Sequence, residues 1–317
     1  MTRHDNLDHN PYLPSRIEPA PSFGLVSTGV TGSARFRVPG YDLAELLGVG
    51  GSGEVWRGRH RRSGEAVAIK YLVVPNDPKD GLEQARHEAA MLAALQHPHL
   101  IGLREAVQLP GAVALVLDLA ERGSLAQLLQ SRGVLGPGEV ITTVAPVAAA
   151  VAHAHAAGIV HGDITPANVV FSQRGDALLT DLGTARITGS LPPGPYRGYL
   201  PTTVDDVYAL GALAFRCLVG HEPGTSVQQR QALVAMPIEI AEVVLRALSP
   251  EPVARGSAAD FALALRASGT PIAIDFTAGS GRPPGPARPA PTRRTAVPQR
   301  PIATPGWRSR LAGLRRG

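Results

Sequence analysis

HGDITPANVV, residues 161–170, holds an acid and an amide five positions apart, Asp163 and Asn168. It begins a stretch, 161–186, whose pattern is that of a loop rather than a helix or a strand. A carboxylate able to accept a proton, beside an oxygen that suits a hard cation, is the pairing that a phosphoryl-transfer loop needs. Whether the rest of the chain supports that chemistry depends on what precedes and follows the loop.

Far upstream, LGVGGSGEV places Gly48, Gly50 and Gly53 ahead of Val55. Glycines permit a tight turn whose backbone N–H groups approach phosphate oxygens with no Cβ in the way. A plain glycine-rich hairpin accounts for the same residues. A dinucleotide fold does not, because a second strand follows where that fold requires a helix. The surrounding YDLAELLGVGGSGEVWRGRH alternates as a two-stranded hairpin does, and EAVAIKYLVV follows as a third strand rich in Val and Ile. That strand carries VAIK, 67–70, ending in one of only two lysines in the chain.

LEQARHEAAMLAALQ, 82–96, has the spacing and the composition of a helix and carries Glu88, eighteen residues after Lys70. A strand lysine paired to a helix glutamate can hold phosphates in place; an isolated glutamate there would be an ordinary solvated carboxylate. VALVLDLA, 113–120, is again a strand. Beyond Ser124 the pattern is mostly helical, with helices expected at about 204–219, at 237–248 and after Ser257. Strands first and helices later make an α+β arrangement.

Thirteen residues after Asn168 stands Asp181-Leu182-Gly183. With this triplet the chain resembles the protein kinase superfamily, and specifically bacterial Ser/Thr protein kinases of the eukaryotic type, over roughly 41–268. The resemblance implies a bilobal fold, with a small antiparallel β-rich lobe and regulatory helix over 41–120 and a larger helical lobe over 121–268. It implies that Lys70 binds the α- and β-phosphates of ATP and pairs with Glu88, and that Asp163 orients the acceptor hydroxyl and takes its proton. Asn168 and Asp181 would hold Mg²⁺ (or Mn²⁺). Gly48, Val49, Gly50, Gly51, Ser52 and Gly53 would cover the phosphates. Val55 and Ala68 above and Val170 below would enclose adenine, with Thr180 beside them. Leu117 matches the gatekeeper, and Asp118 to Ala120 the hinge.

Other matches look structural. HPHL, 97–100, resembles the turn after the regulatory helix; His161 and Leu182 match an apolar spine beside Leu92; Asp206 in DVYALG would brace the catalytic loop; Arg255 resembles a late arginine of the helical lobe. His153 and His155 are two apart, so on a helix they diverge and make a poor metal pair.

Four departures bear on activity. Gly162 replaces the arginine that receives a phosphorylated activation loop, so that switch is expected to be absent. Thr165 replaces a lysine that neutralises the γ-phosphate. Asp181 to Asp206 spans only 25 residues, roughly ten fewer than a full activation segment. No Ala-Pro-Glu triplet appears there, so Arg255 is expected to lack its usual glutamate. The ATP residues are complete while the peptide platform is eroded. An active Ser/Thr kinase with an unidentified protein substrate therefore competes with an ATP-binding pseudokinase scaffold. A small-molecule phosphotransferase of the antibiotic and choline kinase group shares the HGD loop, but HPHL, DVYALG and the glycine loop with VAIK argue against it.

Composition sets the limits. At 317 residues and 44% hydrophobic the chain affords a sizeable core. Residues 276–317 carry nine arginines and no acid, and the first 275 hold 22 basic against 26 acidic side chains. The basic character therefore belongs to the tail. Residues 1–40 read as a disordered arm, and 269–317 as a Pro/Arg-rich disordered tail with a possible weak contact to anionic surfaces. One cysteine, Cys217, in an apolar run, excludes an internal disulfide and fits a reducing compartment. With no signal peptide or membrane-spanning run in the sequence, a cytoplasmic location is expected.

Overall fold

The structure, a computed structural model, describes residues 37–50, 53–73, 88–110, 112–182, 186–187 and 200–277, with the backbone alone at 50, 73, 186 and 187. The glycine-loop tip at 51–52, the segment 188–199 and the basic tail from 278 lie outside the described residues. No described helix is long and apolar enough to cross a membrane.

Five antiparallel strands form the first lobe: β1 Tyr41–Gly50, β2 Gly53–His60, β3 Ala66–Val73, β4 Leu103–Leu109 and β5 Ala112–Asp118, in the order β1-β2-β3-β5-β4. The expected hairpin and third strand are present. β4 was not anticipated, because LREAVQL is an edge strand whose mixed, mostly exposed side chains show no clean alternation. β5 is the converse, buried from Ala112 to Leu117.

Register explains how this sheet is buried on both faces. Val67, Ile69, Ala114 and Val116 pack under Val38 and Tyr41 in a small outer cluster. Ala68, Leu72, Val113, Leu115 and Leu117 turn the other way into the main core, shared with the helical lobe. Val38, 2% exposed, belongs to the packed lobe, so the arm expected over 1–40 ends before it. Helix α1, described over 88–94, buries Met91 and Leu92 against the same inner face.

The second lobe is helical: α2 Leu125–Arg132, α3 Pro137–Ala156, α4 Thr203–Val219, α5 Ser226–Ala232, α6 Ile238–Ala247 and α7 Ala258–Ala267. α2 starts at a capping box, with Ser124 accepting from Gln127 N–H and Gln127 accepting from Ser124 N–H. α3 is its centre, and Val140, Val144, Val147, Ala148, Ala150 and Val151 are fully buried. Its alanines let neighbouring helices approach, and it runs through Pro146 unbroken. α5 was not expected, since SVQQRQA carries almost no apolar residue and owes its start to the Thr225 cap. The expected loop at 161–186 contains short paired strands, β7 Val169–Phe171 with β8 Ala177–Leu179, while β6 Ile159–Val160 pairs with β9 Arg186–Ile187.

The boundary expected at 268 also shifts. Residues 269–277 continue across the helical lobe, with Ile274 and Phe276 against its core. Cys217 is fully buried in α4, and burial pushes its thiol up to about 12, which leaves it a small core hydrophobe.

Candidate active site

Cross-strand register pairs Val55 with Lys70 and Ala68 with Leu117. Directly paired residues, and residues two apart on a strand, share a face. Val55, Ala68, Lys70 and Leu117 therefore form one surface, turned toward the helical lobe. Asp118 falls on the opposite face, where Arg104 donates to its carboxylate at 2.6 Å and also pairs with Glu65 at 2.7 Å. That triad at the start of the interlobe connection has no sequence signal, because Arg104 and Glu65 belong to no motif and only the fold brings them to Asp118.

The glycines of the β1–β2 hairpin differ in their reasons. Gly53 has φ +130°, and a Cβ there would stand 2.2 Å from the Tyr71 carbonyl oxygen, so the fold itself excludes a side chain. Gly48 has no heavy atom within 4 Å of such a Cβ. Val49 is exposed beside it, Gly50 pairs with Gly53 across the hairpin, and Gly51 and Ser52 lie outside the described residues.

Lys70, only 4% exposed, donates to Glu88 Oε1 at 2.7 Å and to Asp181 Oδ1 at 2.9 Å. Burial alone would lower its pKa, but the two carboxylates outweigh burial and hold it above the usual lysine value. Asp181 takes φ +67°, the left-handed region that costs a non-glycine residue about 1–2 kcal/mol. Its bond to Lys70 helps hold that geometry.

Below, the loop hangs from Asp206, 1% exposed in α4. One of its oxygens accepts the His161 N–H at 2.8 Å and pairs with His155 Nε2 at 2.8 Å; the other accepts the Gly162 N–H at 2.9 Å. A buried carboxylate needs such donors. Gly162 has φ +80°, so glycine is the residue that fits this turn without strain, a reason the motif alone does not reveal. Burial lowers the pKa of His161 despite Asp206, Asp163 and Asp181 nearby, so its ring is neutral. Nδ1 then accepts the Asp163 N–H, and Nε2 donates to the Thr180 carbonyl, each at 3.3 Å.

Asn168 Nδ2 donates to both the carbonyl and Oδ2 of Asp163, each at 2.9 Å, and Thr180 N–H donates to the Asn168 carbonyl at 2.9 Å. Asp163, Asn168, Thr180 and Asp181 are thus one connected unit. With Nδ2 committed, the amide presents Oδ1 as its ligating atom. An amide oxygen and a carboxylate are the hard donors that Mg²⁺ or Mn²⁺ takes, so the donor set fits such an ion. Val170 follows on β7, half-buried, and Ala120 lies just past β5. Leu92, His161 and Leu182 are all buried. Gly183 lies outside the described residues.

Arg255, expected to lack its usual glutamate, has an aspartate beside it: it lies 3.5 Å from Asp205, donates to the carbonyls of Val204 (3.1 Å) and Ser249 (2.9 Å), and stacks on Tyr208 at 4.9 Å. Asp205 also accepts the Thr202 N–H at the start of α4. A helix-start carboxylate therefore takes the place of the missing glutamate.

The model of the protein kinase domain matches residues 41–255, more than half of the chain, and the chain belongs to that family. It is 32% identical over 268 residues to the serine/threonine-protein kinase PkaA of Streptomyces coelicolor, covering 71% of this chain and 49% of the relative. It is 33% identical over 198 residues to the serine/threonine-protein kinase PknK of Mycobacterium tuberculosis, covering 57% and 18%. CBL-interacting protein kinase 22 of Oryza sativa is 36% identical over 160 residues, 45% and 36% of the two chains. The chain spans about half the length of the first of these relatives and less of the others.

Proposed function

We propose that this chain transfers the γ-phosphate of ATP to Ser or Thr hydroxyls of proteins, without gating by phosphorylation of its own activation segment. The observation that carries this is the cluster of buried Lys70 and Glu88 with part-buried Asp181, set beside the Asp163–Asn168 pair. Glu88 keeps the Lys70 ammonium charged and aimed at the α- and β-phosphates. Val55 and Ala68 from above and Val170 from below enclose adenine, Leu117 bounds the pocket as gatekeeper, and the backbone of Asp118 to Ala120 meets the adenine edge. The glycine-rich segment 48–53 would cover the phosphates.

Asp163, steadied by Asn168, orients the acceptor hydroxyl and takes its proton. Asn168 and Asp181 would hold Mg²⁺ or Mn²⁺, which when bound neutralises phosphate charge. Gly162 offers no cation to receive a phosphorylated segment, which supports ungated activity. Thr165 removes a second cation; losing one preorganised charge costs about 3–4 kcal/mol, against the roughly 8–23 kcal/mol that enzymes supply. Transfer is slowed, not abolished. The short 181–206 interval without an Ala-Pro-Glu triplet is what favours the second reading, an ATP-binding scaffold with little transfer.

Labelled ATP offered in parallel with a generic basic protein, an aminoglycoside and choline separates these readings. Label on protein Ser or Thr is expected. Label on the small molecules alone would replace the proposal, and ATP binding without transfer to any acceptor would leave the scaffold.

A further inference from the structure

Past α7, residues 269–277 cross the helical lobe as a strap with specific bonds. The Ile272 N–H donates to the Gly138 carbonyl at 3.0 Å, and the Thr142 hydroxyl donates to the Ile272 carbonyl at 2.8 Å. A Cβ on Gly138 would lie 2.5 Å from Ile272 Cγ1, so the strap rests on bare backbone there. Arg132 and Glu139, joined twice at 2.7 and 2.8 Å, then grip Asp275. Arg132 donates to its carbonyl at 3.1 Å, and its N–H donates to Glu139 at 3.3 Å.

This clamp delivers Phe276 to a defined place. Its ring meets Phe171 edge-on, with centroids 5.1 Å apart and planes at 77°, and the Arg122 guanidinium lies 4.7 Å from its centre. Phe171 is fully buried and exchanges backbone bonds with the chain leaving the interlobe connection. The Arg122 N–H donates to the Phe171 carbonyl at 3.1 Å, and the Phe171 N–H donates to the Gly123 carbonyl at 2.9 Å. Phe276 therefore touches both sides of one ladder. Val170, next to Phe171, points to the opposite face of β7 by strand alternation.

We propose that Phe276 is a positioning residue for the nucleotide site. By packing on Phe171 and Arg122 it holds β7 against the connection between the lobes, and so sets the height of Val170 beneath adenine. Phe276 acts this way only if ATP occupies the cleft as proposed above.

The test uses the full chain, wild type and Phe276→Ala, with two readouts: amide hydrogen exchange, and equilibrium binding of a fluorescent ATP analogue. Exchange at Arg122 and Phe171 is expected to speed up while α6 is unchanged, and the analogue's Kd to weaken about three- to tenfold. Where transfer is measurable, the same factor appears in KM for ATP, with kcat within about twofold. Phe276→Leu, which keeps apolar bulk, restores most of the affinity. A strap that merely seals the core would lower thermal stability and leave Kd unchanged, and that result overturns the proposal. If Phe276→Ala does not fold, Thr142→Val, which removes one strap bond, is judged by the same Kd: an unchanged value overturns the proposal. A wild type that binds no analogue defeats the nucleotide reading itself, whereas wild-type binding with an unaffected variant defeats only the role of Phe276.

Discussion

Replacing Lys70 with methionine removes the cation from a carboxylate, Glu88, that is 2% exposed. Breaking one side of a buried pair removes the strongest compensation of the remaining charge and costs about 3–5 kcal/mol. At about 2–4 °C per kcal/mol for a domain of this size, Tm falls by roughly 6–20 °C. The second change, Glu88→Leu in the same chain, removes the buried carboxylate as well, and buried pairs replaced by apolar residues are often neutral. The double variant should therefore be more stable than Lys70→Met alone, within about 1–2 kcal/mol of wild type. Urea unfolding at constant m-value reads both differences.

Acidity supplies a further check. A buried carboxylate that has lost its cation takes up a proton more readily, so the Lys70→Met deficit should narrow as pH falls from 8 to about 5. In wild type the Lys70 pKa is raised above its unfolded value of about 10.4. Its contribution is therefore complete below that pH and lost only as pH rises through the folded value. A deficit under about 1 kcal/mol, or a double variant no better than the single, would refute the burial argument.

Three other expectations follow from particular geometries. Thr165→Lys restores a cation at the γ-phosphate and should raise kcat roughly ten- to a thousandfold with little change in KM for ATP; an unchanged kcat means another charge already serves there. Gly53→Ala sets a Cβ against the Tyr71 carbonyl oxygen at φ +130° and should cost about 1–3 kcal/mol, whereas Gly48→Ala should leave stability within about 0.5 kcal/mol. Equal effects in thermal melts would contradict that contrast. Burial raises the pKa of Glu139, but Arg132 and the N–H groups of Gly136 and Asp275 outweigh burial and hold it below the usual range. The stability it contributes is complete above its unfolded pKa of about 4.3 and lost as pH falls through the lower folded value; Glu139→Gln should flatten acid unfolding in that window.

Much of the fold was legible because its strands and helices announce themselves locally. The β1–β2 hairpin alternates around glycines, and α4 repeats apolar residues at helical spacing from Val207 to Leu218. Elements whose order comes from partners were not legible. β4 is held by its pairing to β5, and α5 by its cap, so neither carries a periodic apolar signal. The strap was hidden for the same reason, since Ile272, Ile274 and Phe276 sit amid polar and small residues and only α2, α3 and β7 make them meaningful.

At the site, Lys70, Glu88, Asp163, Asn168 and Asp181 are what the motifs and the family resemblance imply, and the structure joins Lys70 to Glu88 and Asp181, and Asn168 to Asp163. Two facts needed coordinates. Gly162 occupies a left-handed turn, so its glycine has a backbone reason as well as a chemical consequence. Asp205 reaches Arg255 because α4 starts beside the short 3₁₀ helix Pro252–Arg255, a juxtaposition distant in sequence.

The most direct test compares transfer of labelled γ-phosphate from ATP to a basic protein by wild type and by Asp163→Ala, with Mg²⁺ and saturating ATP. Wild type should transfer label, and the variant should lose roughly a hundredfold or more of that rate while binding ATP as before. Wild-type transfer no faster than that of the variant, with ATP bound to both, would contradict the assignment of this loop to catalysis.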